Sequence, residues 1–254
     1  MPRISREKSE SGIYHIILRG TNKQEIFHDD EDNLRFLEII DKYKRQCEIK
    51  IYGWCLMGNH VHLLLGEGKE ELSVTMKRIG VSYAWFYNRK YYTTGHLFQD
   101  RYKSENIDSD TYLMTVIRYI HQNPIKARLV NKASEWKWSS CEGYYFDPPQ
   151  LLDSGFILDI FSKSREKAIG LFKKFSEEVN EDFCLEDDVR KRLTDIEARE
   201  EIKKLIKTVE IAQIKGLPKE QRNEFIKRIK GVEGLTQRQA ARILGVSQKL
   251  ISVI

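Results

Sequence analysis

The sequence predicts an α+β fold: an antiparallel sheet with helices on one face, followed by a small all-α domain. Three observations lead there. Strand-period and helix-period segments follow one another in the order β-α-β-β-α-β-α over residues 11–124. The two central strands are separated only by Gly58 and Asn59, a tight-turn signal, which makes them a hairpin. Near the C-terminus, small and apolar residues recur at a spacing that suits two short crossing helices. One hairpin between two crossover connections is the pattern of a ferredoxin-like (RRM-like) sheet. Such sheets host many unrelated functions, so the fold alone decides nothing about chemistry.

Each element has a local reason. "SGIYHIILRG" (11–20) is β-branched and alternating, and reads as a strand ending at Gly20. "DDEDNLRFLEIIDKYKRQ" sets Leu34, Phe36, Leu37 and Ile40 at helical spacing behind an acidic first turn. "EIKIYGWCLM" (48–57) and residues 60–65 are the hairpin strands. Residues 72–92 are helical, and "GHLFQDRYKSENI" (95–107) reads as a fourth strand. "DSDTYLMTVIRYIHQNP" (108–124) is a helix opened by a capping Asp or Ser and closed by Asn-Pro.

Charge divides the chain. Residues 1–146 carry 22 basic and 19 acidic side chains, residues 147–198 carry 8 and 13, and residues 199–254 carry 13 and 6. The expected domains are therefore 1–146, an acidic helical connector over 147–198, and a basic module over 199–254. A basic module suits a polyanion, because Lys and Arg displace counterions from phosphates; a solvated helical surface explains the same charge equally well. The polar start "MPRISREKSE" does not read as a signal peptide, and no apolar run approaches a membrane span. Cys47, Cys55, Cys141 and Cys184 form no C-x-x-C pair, which disfavours a disulfide framework or structural zinc and suits a reducing, cytoplasmic setting.

"MGNHVHLLL" (57–65) places two of the six histidines, His60 and His62, one residue apart. In a strand they share a face, and two imidazoles can supply two nitrogen ligands to a divalent metal. Mg²⁺ or Mn²⁺, which keep open positions for phosphate oxygens and water, need few protein ligands. Tyr119 and Asn123 are four apart, hence neighbours on one face of their helix. The Asn123 carbonyl could complete the site, with the Tyr119 hydroxyl aimed at the same ion. From spacing alone the other readings stand beside these: a packed histidine pair, a core tyrosine and an asparagine helix cap. Tyr112, two helical turns before Tyr119, shares nearly the same face. His121 falls off that face, towards solvent or DNA.

Four segments in this order, "GIYHIILRGTNKQEIF", "GWCLMGNHVHLLL", "GHLFQDRYKS" and "RYIHQNPIKARLV", together resemble the single-tyrosine transposases of the His-hydrophobe-His (HUH) nuclease class. The likeness spans roughly residues 10–145. It implies that His60, His62 and Asn123 hold Mg²⁺ or Mn²⁺, and that Tyr119 attacks a single-stranded DNA phosphate to give a 5′-phosphotyrosine link and a free 3′-OH. Asn followed by Pro is similar to the REP-associated branch, whose members are often monomeric, rather than to the insertion-sequence branch with Gln. A monomer is therefore favoured over a dimer, with single-stranded DNA carrying hairpins as the partner. Histidine-triad hydrolases also alternate His with apolar residues, but Leu64 stands where they need a third His.

Arg19, Asn22, Lys23, Arg101 and Lys103 flank the motifs and are candidates for phosphate contact, a solvated surface being the equal alternative. In "YAWFYNRKYY" (83–92), Trp85 and Phe86 read as core rather than as a stacking platform for bases. Ala241, Gly245 and Ile251 have the spacing of a helix-turn-helix, with Ser247 as N-cap of a second helix presenting Gln248, Lys249 and Ser252 to double-stranded DNA. A plain helical hairpin is the rival. The expected activity is metal-dependent single-stranded DNA nicking and strand transfer, in a cytoplasmic, nucleoid-associated protein of bacterial type. The alternative is a non-catalytic, transposase-derived DNA-binding regulator.

Overall fold

The computed structural model describes residues 7–180, 182, 184, 193, 195–206, 209–232 and 234–253. The chain divides into two units, Met1–Leu185 and Glu186–Ile254. The first is built on strands β1 (Ile13–Arg19), β2 (Lys50–Met57), β3 (His60–Gly66) and β4 (Lys103–Asn106), antiparallel in the order β2-β3-β1-β4. Helix α1 (Asp30–Cys47) joins β1 to β2, α2 (Leu72–Lys90) joins β3 to β4, and α3 (Asp110–Lys126) follows β4. This is the predicted element order and the ferredoxin-like strand order.

Caps explain where the helices begin. The Asp29 side chain accepts the Asp32 N–H at 3.0 Å, and three acidic residues occupy the first turn of α1. Ser109 caps α3, its hydroxyl accepting the Tyr112 N–H at 3.2 Å.

Two elements differ from expectation. The strand expected over 95–107 is confined to Lys103–Asn106. Gly95 takes φ 96°, and residues 97–99 reach the end of β1 only through local bonds, the Gln99 N–H donating to the Arg19 carbonyl at 2.9 Å. The helix expected to close at Asn-Pro runs through Pro124 to Lys126. Proline removes one N–H, but the Ala127 N–H still bonds the Asn123 carbonyl at 2.9 Å, and Pro124 itself is buried.

Register assigns the faces. His15, Ile17 and Arg19 lie opposite Leu64, His62 and His60, and His15 and Ile17 also lie opposite Glu105 and Lys103. Directly paired residues project to the same side, so these polar groups share one face. The other face carries Tyr14, Ile16 and Leu18 with Val61, Leu63 and Leu65. It meets the crossover helices: Leu18 lines a cavity with Met76 and Gly80 of α2, and Phe36 of α1 meets Tyr83 edge-on at 5.0 Å. The two crossover helices thus share one face. Helix α3 covers the polar one, where a Cβ on Gly53 of β2 would come within 2.4 Å of Ile117 Cδ1.

The stretch 147–198 is not a free connector. Helices α5 (Ser154–Phe161) and α6 (Arg165–Glu177) bury Ile157, Leu158, Ala168 and Phe172 in the core of the first unit. Phe172 stacks on Tyr144 of the short helix α4 (Cys141–Tyr145) with ring centres 4.3 Å apart. Arg118 of α3 makes a two-pronged bond to Asp182, at 2.7 and 3.0 Å. One turn later Gln122 donates to the Ser176 and Glu178 carbonyls at 2.8 and 3.0 Å. The excess of acidic side chains had masked an amphipathic pattern. Residues 181, 183, 185–192 and 194 of that stretch lie outside the described residues.

In the second unit, α7 (Asp195–Ile206), α8 (Lys219–Lys230), α9 (Gln237–Leu244) and α10 (Gln248–Val253) surround one apolar cluster. Ala198, Ile202, Ile226, Ile229, Ala241, Leu244 and Ile251 are buried in it, so a boundary at residue 198 would cut α7. Gly245, at φ 66°, closes α9, and the Ser247 hydroxyl accepts the Leu250 N–H at 3.2 Å. Among the described residues no helix is long and apolar enough to cross a membrane.

Candidate functional site

Strand β3 sets the His60 and His62 rings 5.0 Å apart and nearly perpendicular, at 82°. Both are held through Nδ1. Asn59 Oδ1 lies 2.6 Å from His60 Nδ1, and Asn59 Nδ2 donates to the Lys23 carbonyl at 3.2 Å, which fixes the amide oxygen towards the ring. An amide oxygen only accepts, so His60 carries its hydrogen on Nδ1 and keeps the lone pair on Nε2. His62 Nδ1 lies 3.0 Å from Nε2 of His15, and those rings stack with centres 5.3 Å apart.

Helix α3 brings Tyr119 onto this cluster. Its ring stands edge-on to His62 at 5.8 Å and to His15 at 6.0 Å between centres, with Lys126 Nζ 4.4 Å from its own centre. Tyr112 does not join them: its hydroxyl bonds Glu105 and Cys184 instead. Of the two tyrosines, only Tyr119 makes ring contacts with the histidines. Asn123, one turn further, donates its Nδ2 to the Tyr119 carbonyl at 2.9 Å, so Oδ1 is the atom of that side chain suited to a ligand. His121, expected to face solvent or DNA, is instead buried. Its Nε2 meets the Ser140 hydroxyl at 2.8 Å, its ring packs against Tyr144 and Phe172, and burial lowers its pKa to about 3.

Among the described residues no group of three or more His, Cys, Asp or Glu side chains is gathered to hold a metal ion. The donors that are gathered form a different set, two imidazoles beside an amide-bearing helix. Burial holds His62 well below the usual imidazole range, and positive charge on His15, His60 or Arg19 adds to the effect. Burial also lowers His15, with Glu105 partly opposing it. A metal requires neutral imidazoles oriented through their other nitrogen; His62 meets both conditions, and His60 is oriented through Nδ1 in the same way. The residues therefore fit a divalent cation.

Residues 8–123 match the family described as "Transposase IS200 like". Through this segment the chain is similar to that family. A Haemophilus influenzae protein assigned as a REP-associated tyrosine transposase is 23% identical over 154 residues, covering 55% of this chain and 85% of that protein. Among solved structures, a REP-associated tyrosine transposase bound to a REP hairpin aligns at 20% identity and TM-score 0.46, over 55% of this chain and 82% of that one. A Deinococcus radiodurans protein assigned as a transposase aligns at 17% identity and TM-score 0.34, over 48% and 97% of the two chains.

In the first unit, the candidate DNA contacts fall in three places. Arg19, opposite His60, and Lys103, opposite Ile17, belong to the histidine face. Asn22 and Lys23 are exposed on a left-handed turn, at φ 53° and 64°, beside the Asn59 brace. Arg101 is exposed on the segment before β4. In the second unit Gln248, Lys249 and Ser252 are exposed on α10, the Ser252 hydroxyl donating to the Lys249 carbonyl at 2.8 Å. Trp85, expected in the core, is 61% exposed with the Arg89 guanidinium 5.5 Å above its ring. Sequence reasoning missed His15, Glu105 and the bracing role of Asn59. The signal for His15 lay in β1, an even number of residues before Arg19 and hence on its face.

Proposed function

We propose that this IS200-like protein nicks and rejoins single-stranded DNA through Tyr119, using Mg²⁺ or Mn²⁺ held by His60, His62 and Asn123. The observation that carries the reading is the meeting of α3 with β3, where the Tyr119 ring stands 5.8 Å from that of His62. A bound cation supplies the charge that polarises the target phosphate. Tyr119 Oη forms a bond to phosphorus as the bond from phosphorus to the 3′ oxygen breaks. The phenolic proton is lost to solvent and the departing oxygen takes one up, leaving a 5′-phosphotyrosine and a 3′-OH. Attack by a 3′-OH on that link re-forms a phosphodiester, so bond energy is conserved through the cycle. Arg19 and Lys103 hold flanking phosphates, with Asn22, Lys23 and Arg101 extending the track.

The name of the Haemophilus influenzae relative, a REP-associated tyrosine transposase, supports DNA strand transfer, and a hairpin-bearing single strand is the substrate we propose. The α9–α10 pair, closed by Gly245 and capped by Ser247, supports a helix-turn-helix that reads duplex DNA through Gln248, Lys249 and Ser252. The working form is a monomer in the cytoplasm, associated with the nucleoid.

The test is a denaturing gel with labelled single-stranded hairpin oligonucleotides and Mn²⁺. Wild-type protein gives a labelled adduct that survives denaturation, and Tyr119→Phe gives none. An adduct retained in Tyr119→Phe and lost in Tyr112→Phe would move the nucleophile to Tyr112. Duplex binding without any adduct across many hairpins would replace the enzyme with a regulator.

A further inference from the structure

The histidine face carries two polar residues that the proposed chemistry does not use, His15 on β1 and Glu105 on β4. They are paired by strand register and stand in line with His62. His15 is fully buried, and its Nδ1 is a buried polar atom with no hydrogen-bond partner. That nitrogen faces Glu105 Oε2 at 3.6 Å. Its other nitrogen, Nε2, is 3.0 Å from His62 Nδ1. Glu105 also shares a hydrogen bond with the Tyr112 hydroxyl.

Hydrogen placement along this line has one consistent solution for neutral rings. A carboxylate facing His15 Nδ1 attracts a hydrogen there and repels a lone pair. His15 Nε2 is then the acceptor. The hydrogen in the short contact must therefore sit on His62 Nδ1, which leaves the lone pair of His62 on Nε2. Asn59 imposes the same tautomer on His60 by a different route, through an amide oxygen fixed by the Lys23 carbonyl. Two independent devices thus favour a hydrogen on Nδ1 of both strand histidines.

We infer that Glu105 and His15 form a positioning relay that fixes the tautomer and ring orientation of His62 for metal binding. The inference rests on the proposed metal site. It assigns His15 no contact with substrate; His15 acts through His62. Loss of such an outer partner weakens metal affinity by about 10–100-fold in comparable sites.

The experiment measures Mn²⁺ affinity by electron paramagnetic resonance in wild type, His15→Phe, His15→Gln and His60→Ala. It also records long-range ¹H–¹⁵N correlations of the histidine rings in metal-free wild type. The relay predicts His62 protonated on Nδ1, an affinity loss of about 10–100-fold in His15→Phe, and recovery in His15→Gln, whose amide oxygen takes the place of Nε2 as acceptor. His62 protonated on Nε2 in wild type overturns the inference, and that spectrum needs no variant to fold. Wild-type affinity in His15→Phe, with binding lost in His60→Ala, overturns it while leaving the metal site standing. Undiminished binding in His60→Ala instead removes the metal site itself.

Discussion

At the scale of single residues, Asn123 separates ligand from cap. Its Nδ2 is already committed to the Tyr119 carbonyl, so a role in the site falls to Oδ1. Asn123→Ala removes that oxygen, and Mn²⁺ affinity should fall by at least the ~10-fold of a lost outer partner, while the lost side-chain bond costs about 1 kcal/mol of stability. Asn123→Asp keeps an oxygen and adds charge, so it should bind Mn²⁺ at least as tightly as wild type. Equal affinities in all three proteins, read by titration calorimetry, would leave Asn123 as a helix residue only. His60, His62, Tyr119 and Asn123 were legible because their relations are local: two residues apart on a strand, four apart on a helix. His15 and Glu105 were not, because what makes them matter is register between strands, and His15 pairs with a residue 90 positions away. No single-strand periodicity encodes that pairing.

At the scale of elements, α3 is the piece on which the site depends, and Gly53 sets how closely it approaches the sheet. A Cβ there would stand 2.4 Å from Ile117 Cδ1, two residues before Tyr119. Gly53→Ala should therefore cost about 1–3 kcal/mol in urea unfolding, as overpacking does, and slow adduct formation. Ile117→Val deletes the colliding methyl, so the double variant should recover adduct formation relative to Gly53→Ala alone. No recovery would mean that the close contact does not govern the position of Tyr119. Arg118 holds α3 from its other side. With both partners mostly buried, Arg118→Ala strands the Asp182 carboxylate and should destabilise by roughly 3 kcal/mol, measurable in the same titration. These supports also show where reading elements from sequence failed. Amphipathic spacing in α5 and α6 was subordinated to net charge, although burial of Ile157, Leu158 and Phe172 is what decides their place. Pro124 marks a lost N–H, yet tertiary packing carries the helix past it.

At the scale of the whole molecule, two separate apolar cores imply that the two proposed DNA-binding activities can be taken apart. The first unit contains every residue proposed for cleavage, and the basic excess of residues 199–254, 13 against 6 acidic, belongs to the second. A chain ending at Leu185 should form the phosphotyrosine adduct on hairpin single strands at the full-length rate and lose affinity for duplex DNA. In the full chain, Lys249→Ala should weaken duplex binding across sequences and lower the slope of log affinity against log salt by about 1, as expected for one phosphate contact. Gln248→Ala should instead alter preference among duplex sequences while leaving that slope unchanged, because an uncharged side chain releases no counterion. Filter binding at several salt concentrations reads both quantities. Duplex affinity retained in the shortened chain would place duplex recognition on the sheet and leave α9 and α10 without a part in it.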